Sequence, residues 1–145
     1  MPIINNLEET EKFISNKLIG AQLDMFCVYS IDLQLNFLAE VEGDLQDVWL
    51  SMTGRVHLYS AKKQINKRSE IIARLHSLLG QRVSFVKIEK EGFLSIHFTD
   101  GILTTGMDND NLEIVWSLTP KSSDIYQQNE WSVILTDEAD LILNK

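Results

Sequence analysis

Two short patterns in this chain return at nearly constant spacing. Leu18-Ile19-Gly20 reappears as Leu78-Leu79-Gly80 sixty residues later, and Leu33-x-Leu35-x-Phe37 reappears as Leu94-x-Ile96-x-Phe98 sixty-one residues later. A glycine directly after an apolar periodic segment is the usual left-handed residue that ends a helix. Strict apolar alternation is the pattern of a half-buried strand. Each unit therefore reads as a helix followed by about four strands, and the chain as an α+β protein built on a duplicated helix-plus-four-strand unit. One such unit would leave one face of its sheet bare. Two antiparallel sheets packed together, with two helices, bury both faces. The expected organisation is a single domain over residues 1–145, with pseudo-repeats roughly at 5–60 and 65–145. The length of 145 residues suits this: a chain of that size buries about 68–70% of its unfolded surface around one core. Trp49 and Trp116, each after a valine near the end of a unit, extend the match.

Asn6-Leu7-Glu8-Glu9 resembles a capping box that opens the first helix, with Leu7, Ile14 and Leu18 on one face and Phe13 beside them. Strands follow at Leu23–Tyr29 and from Ile31 to Phe37, joined by a tight turn at Ser30, then at Val48–Met52 and Val56–Tyr59. Glu40-Val41-Glu42-Gly43-Asp44 reads as a polar loop between strands. The second helix carries Ile65, Ile72, Leu75 and Leu79 and closes at Gly80. Further strands are read at Val83–Ile88, Phe93–Phe98, Ile102–Thr105 and Glu113–Leu118, with Trp131–Leu135 and Leu141–Leu143 forming a terminal hairpin around Asp137-Glu138.

Composition excludes several classes. The apolar fraction of 44%, with two prolines and seven glycines, is that of a globular chain, not a disordered one. The single cysteine, Cys27, has no internal disulfide partner and sits in the run Met25-Phe26-Cys27-Val28, which predicts a small buried hydrophobe. A disulfide-free chain fits a reducing cytoplasm. No signal peptide is expected from Met1–Asn6, and no apolar stretch reaches membrane-spanning length.

The formal net charge is −8. Such a field repels phosphate backbones and attracts a basic partner. The charge is segmented. Residues 1–60 hold nine acids and three bases, residues 61–82 one acid and six bases, and residues 83–145 eleven acids and four bases, giving −6, +5 and −7. The basic segment is Lys62, Lys63, Lys67, Arg68, Arg74 and Arg82; Lys62 to Arg68 read as a solvated helix start, although cations there oppose the helix dipole, which favours some other use for them. Glu40, Glu42, Asp44 and Asp47 cluster in one inter-strand connection, and Asp108, Asp110 and Glu113 in the other unit. Like charges gathered in this way are costly unless solvated or met by a cationic partner. These seven are the candidate binding residues.

Few residues have a spacing that suits catalysis or metal binding. His57 and His97 lie in strands between apolar residues and should face solvent; His76 lies in the second helix. No two histidines have metal-ligand spacing. Asp108-Asn109-Asp110-Asn111 starts like a calcium loop, but Glu113 stands where the sixth-position glycine is needed and Thr119 where the twelfth-position glutamate is needed. There is no nucleophile elbow, phosphate loop or dinucleotide fingerprint. The expectation is a binding protein with no catalytic residues, no metal and no cofactor. An enzyme using two of the 21 acids is the weaker alternative.

Leu79-Gly80-Gln81-Arg82-Val83, then Gly92-Phe93-Leu94-Ser95-Ile96-His97-Phe98-Thr99-Asp100-Gly101, then Val115-Trp116 and the terminal hairpin are similar to small bacterial immunity proteins. The whole chain resembles an immunity protein of contact-dependent growth inhibition, of the type paired with a ribosomal-RNA-cleaving toxin. The resemblance implies a cytoplasmic protein that binds a basic nuclease toxin domain, the C-terminal part of a large secreted effector, and blocks its RNase activity. The duplicated layout also resembles the Whirly fold, which binds single-stranded nucleic acid. Here the helix precedes each set of strands, whereas in Whirly proteins it follows. That resemblance implies, as the alternative, a nucleic-acid-binding module using Lys62 to Arg82.

Overall fold

The computed structural model describes residues 6–53, 55–106, 114–120 and 130–145. In chain order the elements are α1 (Leu7–Leu18), β1 (Gln22–Val28), β2 (Leu33–Val41), β3 (Asp44–Met52), β4 (Val56–Ser60), β5 (Lys63–Ile65), α2 (Arg68–Leu78), β6 (Phe85–Ile88), β7 (Leu94–Phe98), β8 (Gly101–Thr105), β9 (Ile114–Pro120), β10 (Ser132–Thr136) and β11 (Leu141–Asn144). They form a six-stranded sheet, β1-β2-β3-β9-β10-β11, and a five-stranded sheet, β5-β4-β8-β7-β6. All pairings are antiparallel. This is the α+β architecture of two antiparallel sheets and two helices that the patterning predicts.

The sheets do not divide along the repeat. Each half places its first three strands in one sheet and its fourth in the other, so that β4 pairs with β8 and β9 pairs with β3. The exchange is organised about a local two-fold. Gly20 N–H donates to the Val83 carbonyl and Gly80 N–H to the Leu23 carbonyl, both at 2.8 Å. Leu23 N–H donates to Gln81 and Val83 N–H to Ala21 in the same reciprocal way. Gln22 and Arg82, sixty residues apart, face each other as an antiparallel bridge at the centre. Gly20 and Gly80 have φ of +88° and +89°, so each ends its helix in the left-handed conformation and turns the chain into this junction. A second reciprocal pair, Thr53 N–H to Val115 and Gly106 N–H to Arg55, stitches the exchanged strands.

One apolar cluster draws on both sheets and both helices. Phe37 and Phe98, equivalent positions of the two units, stack across it with centroids 6.3 Å apart and planes 14° from parallel. Trp116 is fully buried, and its indole Nε1–H donates to the Gly92 carbonyl at 2.9 Å. That bond satisfies the one polar group a buried tryptophan carries.

Several local expectations are corrected. Asn6 makes no side-chain cap: its φ of +56° is left-handed, whereas a capping residue is normally extended. The β1–β2 connection is a four-residue turn closed by Tyr29 N–H to Asp32 O, so Ile31 sits at the turn and is exposed. A register shift at Asp24 reverses the phase of β1 and turns Cys27 to the outer, half-exposed side of the sheet instead of the core. In α2 the buried face is Ile71, Leu75 and Leu78; Ile65 belongs to β5, where pairing with Leu58 overrides helical spacing. Trp49 and Trp116 are not equivalent. Trp49 opposes Thr119 on the outer face, whereas Trp116 opposes Met52 on the inner face.

Candidate functional site

The polar stretch Glu40–Asp44 is not a loop. The β2–β3 ladder runs unbroken from Leu33↔Met52 to Val41↔Asp44, leaving only Glu42 and Gly43 as a two-residue turn. Glu42 has φ +52° and Gly43 φ +87°, the doubly left-handed geometry that matches strand twist in a tight hairpin. The long ladder holds the four expected acids at one hairpin tip. Glu40, Glu42, Asp44 and Asp47 are all exposed, and among the described residues none has an ion-pair partner.

Strand alternation sorts them. Phe37, Ala39 and Val48 point into the core, so Glu40 and Asp47 project from the outer face, Asp44 projects on the opposite side, and Glu42 caps the turn. Asp47 is oriented: the amide of the buried Asn36 donates to its carboxylate at 3.2 Å. Directly across the ladder from Glu40 stands Leu45, 70% exposed, the most exposed large apolar side chain among the described residues. On the same outer face lie Leu38, opposite Asp47, and Trp49, opposite Asn36, both half-buried. The outer face of the tip thus presents an apolar point beside the carboxylates of Glu40 and Asp47, with Glu42 at the turn. Such a surface suits a partner with an apolar pocket framed by lysine and arginine.

Sequence reasoning found the four acids but missed Leu45. The signal was present: Leu45 falls out of phase with Val48, Leu50 and Met52. The other expected cluster, Asp108, Asp110 and Glu113, lies outside the described residues.

The basic segment is distributed differently from a helix start. Lys62 and Lys63 lie in the β4–β5 hairpin, and only Arg68 and Arg74 belong to α2. Arg68 donates to the Tyr29 and Asp32 carbonyls and so ties the β1–β2 turn to α2. Arg82 donates to the Gly20 carbonyl at 2.8 Å, at the local two-fold. With Arg74, whose Nε donates to Ser60 Oγ in β4, three of the six bases therefore tie elements of the fold together. His57 and His97 face outward from the five-stranded sheet, as the alternation predicts. His57 Nδ1 is 2.7 Å from Asn66 Oδ1. Burial and the neighbouring Lys87 ammonium hold the His97 imidazole below its ordinary pKa.

Among the described residues no group of three or more histidine, cysteine, aspartate and glutamate side chains is placed to hold a metal ion. No helix among them is long and apolar enough to cross a membrane. No protein-family model, curated protein or solved structure matches the chain.

Proposed function

We propose that this chain is an immunity protein that neutralises a basic nuclease toxin domain by protein–protein binding in the cytoplasm, with the β2–β3 hairpin tip as its docking element. The observation that carries the reading is Leu45, exposed at the end of a long hairpin with Glu40 and Asp47 on its own face, Glu42 at the turn and Asp44 on the reverse face. A nuclease that grips RNA presents a surface of lysine and arginine to phosphate. Carboxylates fixed on a two-residue turn meet that surface with little ordering cost, because the hairpin is already formed. The resemblance to immunity proteins of contact-dependent growth inhibition supplies the class of partner.

The test is RNA cleavage by the toxin domain encoded beside this chain. Equimolar wild-type protein should abolish cleavage. Leu45→Ala should raise the concentration needed for half inhibition by about tenfold, the effect of losing an interface anchor worth ~1–2 kcal/mol. Cleavage unchanged by excess wild-type protein defeats the reading.

A further inference from the structure

The outer face of the five-stranded sheet holds a second constellation. The register places Tyr59 opposite Ile102, Ile102 opposite His97, and His97 opposite Phe85, so these four side chains form one row across β4, β8, β7 and β6. Tyr59 is 44% and Phe85 48% exposed. The Phe85 and His97 rings form a T-shaped pair, with centroids 5.1 Å and planes 81° apart.

An open cleft of about 480 Å³ starts at this row and runs toward α2, lined by Tyr59, Ser60, Arg74, His97, Asp100 and Ile102 among others. Sites for small ligands span roughly 300–1,000 Å³. Two charged groups in the cleft are held in place. Arg74 Nε donates to Ser60 Oγ at 2.9 Å, and the buried Ser60 hydroxyl donates to the Asp100 carbonyl at 2.8 Å. The terminal guanidinium nitrogens have no partner among the described residues. The Asp100 carboxylate accepts from Gln81 Nε2 at 2.8 Å and keeps acceptor capacity. The cleft borders residues 61–82, the one stretch of net positive charge, so an anion is tolerated here despite the overall −8.

The geometry points to a binding site for a ribonucleoside monophosphate: Tyr59, Ile102 and His97 form the flat floor for the base, Asp100 accepts from the ribose hydroxyls, and Arg74 takes the phosphate. Aromatic side chains stack on any base, because every base offers a π-face. A guanidinium with its fork free is the preferred planar partner for phosphate oxygens. The Asp100 carboxylate repels phosphate and attracts hydroxyls, which sets the direction in which the ligand lies. His97 is neutral near pH 7, since burial and Lys87 lower its pKa, and so adds no competing charge to the floor. This site is independent of the hairpin reading and stands or falls without it.

The experiment is a titration of the whole protein, followed by amide and side-chain NMR shifts, with adenosine 5′-monophosphate, adenosine, 2′-deoxyadenosine 5′-monophosphate and inorganic phosphate. The ribonucleotide should shift Tyr59, His97 and Ile102 at millimolar concentration. Arg74→Gln should weaken it by about tenfold or more, the effect of a charged hydrogen bond, while leaving adenosine unaffected. Tyr59→Ala should weaken nucleotide and nucleoside alike by about tenfold, as loss of a stacking partner does. The deoxynucleotide should bind more weakly than the ribonucleotide, and Asp100→Asn should narrow that gap. Tyr59 is exposed and its truncation leaves the core intact, so the test survives if Arg74→Gln fails to fold. No shift in the row at millimolar nucleotide overturns the site. So does inorganic phosphate binding as tightly as the nucleotide, or an RNA oligonucleotide binding on this face where the mononucleotide does not.

Discussion

Two hairpins of this molecule close with the same backbone geometry and carry opposite charge. The β2–β3 tip turns through Glu42 and Gly43, and the β4–β5 tip through Ala61 and Lys62, with both turn residues left-handed in each case. The first ends nine-residue strands rooted on Phe37, Val48 and Leu50 in the core. The second ends a three-residue edge strand whose only apolar side chain, Ile65, is half-buried. Glutamate and aspartate populate the first tip; Lys62 and Lys63 populate the second. Charge sign is assigned here by hairpin, and net charge is a poor guide to any one surface. A deeply rooted acidic hairpin can meet a partner without deforming. A shallow basic edge strand borders a cleft and blunts a sheet edge, as charged edge strands commonly do.

The difference in rooting gives the largest expected effect. Phe37→Ala should cost about 3–5 kcal/mol in unfolding free energy, since it empties a fully enclosed site stacked on Phe98. Ile65→Ala should cost roughly 1 kcal/mol, because its side chain is only partly withdrawn from water. Chemical denaturation of both variants checks this, and equal losses would erase the distinction.

The turns should respond with opposite sign. A Cβ on Gly43 meets nothing within 4 Å, so Gly43→Ala is penalised only by its φ of +87°, by about 1 kcal/mol. Ala61 already bears that strain at φ +53°, so Ala61→Gly should be neutral or stabilising by up to ~1 kcal/mol. Thermal melts showing both variants destabilised would mean that Ala61 packs in a way its exposure does not reveal.

The smallest effect is electrostatic. His97 has its pKa lowered from 6.5 by burial first and by Lys87 second. Its unfolded form therefore binds a proton more readily than its folded form. The stabilisation from keeping it neutral is full above pH 6.5 and is lost as pH falls through the folded-state value. His97→Gln should flatten the stability profile over that acidic window, and Lys87→Met should raise the pKa that NMR titration reads for His97. A folded-state value above 6.5 would contradict the assignment.

Much of this architecture is legible in the sequence. Gly20 and Gly80 mark both helix ends, because a left-handed helix end is a local property. The alternation at Leu33–Phe37 and Leu94–Phe98 gives two equivalent strands in true register, since Leu33 opposes Met52 as Leu94 opposes Thr105. The exchange of β4 and β9 between sheets is not legible: alternation says which face is buried but not which neighbour pairs. Cys27 was misplaced because a single bulge at Asp24 inverts every side chain after it. At the site, the four acids were visible as charge, and the hairpin that gathers them was hidden by reading Glu40–Asp44 as loop. Leu45 was overlooked for the same reason, since an apolar residue matters at a tip only once the tip is known.

The most direct test of the hairpin as docking element is the association rate with the toxin domain proposed as its partner, measured by stopped flow across ionic strength. Reversing Asp44 and Asp47 to lysine should slow association by about tenfold or more at low salt and flatten the salt dependence. Reversing Lys62 and Lys63 to glutamate should leave the rate unchanged or raise it. Wild-type kinetics in the Asp44/Asp47 double variant, or equal slowing in the Lys62/Lys63 variant, would contradict the assignment of partner binding to the acidic hairpin.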